Sequence, residues 1–140
     1  MGVCIFATKS KYEFNIGYGN FFILRKNIAL ALDEEFGELY AQIKDCRTKS
    51  QREYNDRAIE LIINRKNLEE KYKDILDFLY MSDCDGKISH KTCKQIYDLI
   101  KDIDFGEQIF QYNSIAKNDH EEFKKFLLEC YSKRRLMRWC

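Results

Sequence analysis

Met81-Ser82-Asp83-Cys84-Asp85-Gly86-Lys87-Ile88-Ser89 is the one sharp turn signal in a chain whose other segments read as long helices. An apolar-periodic segment enters it from Leu68, and another leaves it from Ser89. Asp-Gly supplies a turn, because glycine tolerates positive φ and an aspartate can bond its own backbone nearby. The stretch predicts a helix-loop-helix in which Ser89 caps the second helix. The rest of the chain then stacks around it.

Upstream, apolar positions alternate steps of four and three through Tyr54, Ala58, Leu61, Leu68, Tyr72, Ile75 and Leu79, with Arg65 as the polar break. This predicts an amphipathic seam that packs in one domain and breaks near Asn64–Asn67. Ser50 and Glu53 have the spacing of a capping box at its start. Further back, Phe21, Leu24, Ile28, Leu32, Phe36, Leu39 and Ile43 form one helical face, with Asn20 as cap and Gly37 as a bend. Arg25 and Lys26 fall off that face. Residues 2–7 and 12–16 read as a β-hairpin, the second by its apolar-polar alternation. A hairpin alone is marginal in water, so Leu136–Cys140 is its expected third strand.

Downstream, Cys93, Ile96, Tyr97, Ile100 and Ile103 mark a helix that Asp104-Phe105-Gly106 closes, and residues 107–117 are mixed. Asp119 caps a last helix with the stripe Phe123, Phe126, Leu127, Cys130 and Tyr131. Lys133-Arg134-Arg135 ends it, where the helix dipole favours cations. The fold class expected is α+β, mostly α, with four or five helices. A small antiparallel sheet comes from the N-terminal hairpin and the C-terminal strand, and residues 1–140 form a single domain.

Composition sets the class. The 140 residues are 45% hydrophobic and 34% charged, which is globular. The formal net charge of +1 excludes a general electrostatic grip on nucleic acid or an anionic membrane. No run approaches the roughly 20 apolar residues that span a bilayer. The start lacks the basic region of a signal peptide, and Phe6 stands where myristoylation wants Ser or Thr. The six cysteines then read as reduced cytoplasmic thiols, with Cys4, Cys93 and Cys130 packing as small hydrophobes.

Catalytic chemistry finds little footing. Two histidines, His90 and His120, stand beside no sequence-local nucleophile, and no G-x-S-x-G, P-loop or G-x-G-x-x-G occurs. Asp83, Asp85 and Gly86 take the third, fifth and sixth positions of an EF-hand loop. Met81 and Thr92 then fall where its first and last ligands belong, so the loop is degenerate. Cys84, His90 and Cys93 lack the tight ligand pairs of a zinc site. No cofactor is expected. Two basic groups remain, Lys124, Lys125, Lys133, Arg134, Arg135 and Arg138 late, and Lys44, Arg47, Lys49, Arg52 and Arg57 earlier.

Met1-Gly2, Gly17-Tyr18-Gly19 with Phe21 and Phe22, the Ser82–Gly86 loop and Cys93 together resemble a family of small uncharacterised phage, prophage and plasmid proteins. Many of these carry His before the Ser, where this chain has Met81. The resemblance implies a small cytoplasmic protein of a mobile element and implies no reaction. The expected function is a non-enzymatic binding protein that occludes a host protein or ribonucleoprotein complex, as an anti-CRISPR inhibitor would. Tyr18, Asn20, Phe22, Arg134, Arg135 and Arg138 are the expected partner-binding residues. One alternative is RNA contact through the late basic cluster. Another is a metal-binding regulatory module at Asp83 and Asp85.

Overall fold

A computed structural model describes residues 2–104 and 117–140, apart from the side chains of Lys117 and Asn118. The expectations for Phe105-Gly106 and for 107–116 lie outside the described residues. The architecture is α+β and mostly helical. Two strands open it, β1 (Gly2–Ala7) and β2 (Glu13–Gly17). Then come α1 (Tyr18–Leu32), α2 (Glu34–Ala41), a 3-10 turn (Gln42–Asp45), α3 (Lys49–Lys66) and α4 (Leu68–Tyr80). The chain ends with β3 (Gly86–Ile88), α5 (His90–Ile100), α6 (Lys117–Ser132) and β4 (Met137–Trp139).

The four strands form one antiparallel sheet in the order β2-β1-β4-β3. The expected hairpin and terminal strand are both present, and β3 is an addition. One sheet face enters the core through Val3, Ile5, Ala7, Ile16, Ile88, Met137 and Trp139, all buried. At roughly 25 cal/mol per Å² of apolar surface, this face and the buried rings of Phe21, Phe36, Phe78, Phe123 and Phe126 in the same core supply the main driving force.

The central loop differs from its sequence reading in cause. Among the described glycines none has positive φ. A Cβ on Gly86 would lie 2.0 Å from Cζ2 of Trp139, which faces it across the sheet. Glycine is there to admit the indole. The turn is held by Ser82, whose Oγ accepts from Cys84 N at 3.1 Å and whose carbonyl accepts from Trp139 Nε1 at 2.8 Å. Ser89 caps α5 as expected, accepting from Thr92 N.

Among the described residues six helices stand where four or five were expected, because two long segments fold back. The first breaks at Asp33, which leaves the helical region at φ −162 and caps α2 by accepting from Phe36 N. Gly37 does not make the bend. It lets α2 close on α1, since a Cβ there would lie 2.5 Å from Leu30 Cα. The second breaks at Asn67, in the left-handed region at φ 53, inside the span expected. Because of that break the seam does not run on in one register. Asn55, Ile59 and Ile62 are buried on α3, and Tyr54 and Leu61 are exposed. The capping box of α3 is Thr48 with Gln51, in place of Ser50 with Glu53. Asn20 lies inside α1, whose N-cap is Gly17, and Asp119 lies in the first turn of α6 rather than at its cap.

Candidate binding site

Helix α1 is buried nearly all round, including the polar side chains Arg25 and Asn27. A polar residue in such a helix is carried inside whatever its own preference. Arg25 is 5% exposed. Its guanidinium lies 4.4 Å from the Phe21 ring centroid, 5.1 Å from Phe78 and 5.6 Å from Trp139. Ring faces attract a cation, so this cage returns part of the desolvation cost. Nη1 donates to the Met81 carbonyl at 2.8 Å, whereas Nε and Nη2 are enclosed without a hydrogen-bond partner. Among the described residues no carboxylate makes an ion pair with it. Burial pushes the Arg25 pKa down, opposed by the neighbouring Tyr40 hydroxyl and the Asp83 charge.

The α1–α2 fold-back sets Tyr40 beside Arg25. Tyr40 donates its hydroxyl to the Leu79 carbonyl at 2.8 Å, and burial pushes its pKa up to about 12 against the pull of Arg25. Its ring stacks on Phe22 at 5.7 Å and 11°, and Lys44 Nζ lies 4.3 Å over the Phe22 ring. Tyr80, half-exposed, meets the Tyr40 ring edge-on at 5.8 Å. These residues, with Asp83 at the margin, line a surface cleft of about 330 Å³. That volume is at the lower end of ligand pockets. The cleft combines an aromatic lining, one exposed cation in Lys44 and one buried cation in Arg25.

The expected partner-binding residues fall in separate places. Phe22 lines this cleft. Tyr18 lies beside the Cys84 thiol, which pushes its hydroxyl pKa up. Asn20 ties α1 to α6 through Asp119 at 3.5 Å. Arg135 donates to the carbonyls of Thr8 and Lys9, bracing the hairpin turn. Arg134, between α6 and β4, and Arg138, on the inner strand β4, are exposed. Lys124, from the same basic run, is buried and donates to the Ile103 carbonyl. Arg25 was missed because it lies off the strongest apolar stripe. Its spacing of four from Phe21, inside a run apolar on every face, was the available signal.

Asp83 and Asp85 are both exposed. Among the described residues no group of three or more His, Cys, Asp or Glu side chains could hold a metal ion. Cys93 and Cys130 are buried neighbours on α5 and α6, and their contact together with burial raises the Cys93 pKa. Cys4, expected in the core, lies on the outer sheet face, where it exchanges both backbone hydrogen bonds with Cys140. No helix among the described residues is long and apolar enough to cross a membrane. Compared with family models, curated proteins and solved structures, the chain matches none.

Proposed function

We propose that this chain is a binding protein that acts by covering a partner, gripping it through an acidic group seated at the Arg25 cleft. One observation carries the reading. A guanidinium that is 5% exposed borders an open aromatic cleft, with no acid paired to it among the described residues. Holding an ion in the interior without a counter-charge costs several kcal/mol. An arriving carboxylate seated in the cleft supplies that counter-charge beside the guanidinium. Phe22, Tyr40 and Tyr80 supply the kind of rigid apolar surface that concentrates energy at interfaces. The carboxylate is a side chain of the partner or its C-terminus.

Origin and target stand on narrower support. The likeness of Gly17–Gly19, the Ser82–Gly86 loop and Cys93 to phage and plasmid proteins favours a mobile-element product acting in the host cytoplasm. A host protein or ribonucleoprotein, such as a CRISPR effector, is the target that fits an occluding protein of this size.

The test compares wild-type and Arg25→Met protein as baits in host lysate treated with RNase. Support is a stoichiometric partner that wild type retains, that Arg25→Met loses, and that a peptide ending in Asp-Glu displaces. A partner held equally by both baits would overturn the cleft reading. Turnover of a nucleotide or nucleic acid by the purified chain would overturn the non-catalytic reading.

A further inference from the structure

We infer that the β3–β4 edge, continued by the start of α5 and the end of α6, is a docking surface for the phosphate backbone of a single-stranded nucleic acid. Lys87 on β3 stands directly opposite Arg138 on β4, and both side chains are exposed. Like charges directly across a sheet are destabilising. Neither forms an ion pair among the described residues, so the fold itself does not relieve the repulsion.

The same two strands carry the pattern further. Ile88 pairs with Met137, and beyond that pair the chain runs into His90-Lys91 on one side and comes from Arg134 on the other. His90, Lys91, Tyr131 and Arg134 line one depression of about 590 Å³. Arg134 adopts φ 52, and the bond from Arg135 N to the Cys130 carbonyl at 2.9 Å closes the end of α6 around it. A non-glycine residue in that conformation is strained. The first turn of α5 adds partial positive charge of the same sign.

The neighbouring cations are already engaged. Lys133 pairs with Glu129, Lys94 pairs with Asp98, and Arg135 holds the hairpin turn. That leaves Lys87, Lys91, Arg134 and Arg138, drawn from two segments some forty residues apart in sequence and brought together by the β3–β4 pairing and the packing of α5 on α6. Asp85 limits the strip at one end. Two cations on the strand pair and two in the adjoining depression suit a string of phosphates, and the rings of Tyr131 and His90 in that depression suit an unstacked base. An acidic peptide would use the cations and leave the rings idle.

The experiment is fluorescence anisotropy of the full chain with a labelled 20-mer of oligouridine across a salt series. Four contacts at about 0.7 each predict a log–log salt slope near −3 for wild type. Arg134→Gly with Arg138→Gln should halve that slope and weaken binding roughly tenfold at low salt. Glycine accepts the positive φ, so the fold survives this change. Lys87→Gln with Lys91→Gln should act alike, and Tyr131→Ala should weaken binding with the slope unchanged. Arg25→Met should leave this binding intact, which separates it from the cleft. Absence of binding at low salt, a wild-type slope in both double variants, or equal competition by polyglutamate would each overturn the inference.

Discussion

Lys66 sits near the surface between two acids, and Arg25 sits in the core with no acid in ion-pair contact among the described residues. Lys66 Nζ lies 3.0 Å from Asp33 Oδ1 and 3.1 Å from Glu35 Oε2, and Arg65 joins the group at 2.7 Å from Glu35. Hydrogen bonds that Lys66 donates to Asp33 and Glu35 raise its pKa, while burial lowers that of Arg25. The first cluster is complete within the chain. It fastens the end of α3 to the cap of α2, and being largely solvated it is worth at most about 1 kcal/mol. The second has no acid in ion-pair contact among the described residues. Three rings and one carbonyl hold the guanidinium, and the Asp83 charge acts on it only from the cleft margin. A complete site is explained by the fold, whereas an incomplete one calls for something that arrives.

The largest way to sharpen the contrast is to remove the ring floor. Phe78 is fully buried and packs against Trp139 at 5.5 Å as well as under Arg25. Phe78→Ala should cost about 3–5 kcal/mol in urea unfolding. A loss below about 1 kcal/mol would mean that the cage is not part of the core.

Next comes pH. His120 is buried against Asn27, with Nε2 3.3 Å from Asn27 Nδ2. Burial, and then the Lys124 charge, lower its pKa to about 4 from the ordinary 6.5. The neutral form is favoured in the fold, so the unfolded chain binds the proton more tightly. Its contribution is therefore full above about pH 6.5 and declines as pH falls toward 4, by a few kcal/mol in total. His120→Gln should flatten that part of the stability–pH curve. An unchanged curve would place the linkage elsewhere.

Smallest is the surface cluster. Lys66→Met should cost less than about 1 kcal/mol, and the loss should shrink further in high salt. Thermal unfolding at two salt concentrations reads it. A loss above about 2 kcal/mol would make the two clusters energetically alike and dissolve the contrast.

The ease of reading the sequence followed how local each signal was. The hairpin showed through alternation over five residues, and Ser89 through a cap next to its helix. β3 was hidden because Gly-Lys-Ile is a strand only by pairing with Met137–Trp139. The break at Asp33 was hidden because apolar spacing runs through it unbroken. Tyr54 and Leu61 drew the α3 register one position off, since both are large and apolar yet exposed at 78% and 69%. The class of fold therefore lay in the periodicity. The Arg25 cleft did not, because it depends on the α1–α2 fold-back. The basic strip depends likewise on a long-range strand pairing.

Chemical denaturation of Arg25→Met against wild type tests the central claim most directly. Methionine fills much of the same space and packs well on aromatic rings. If Arg25 is kept for an arriving acid, the variant should unfold within about 1 kcal/mol of wild type, or be more stable, as replaced buried ions often are. A loss of about 3–5 kcal/mol would show that Arg25 completes a structural pair within the fold, and would contradict the account.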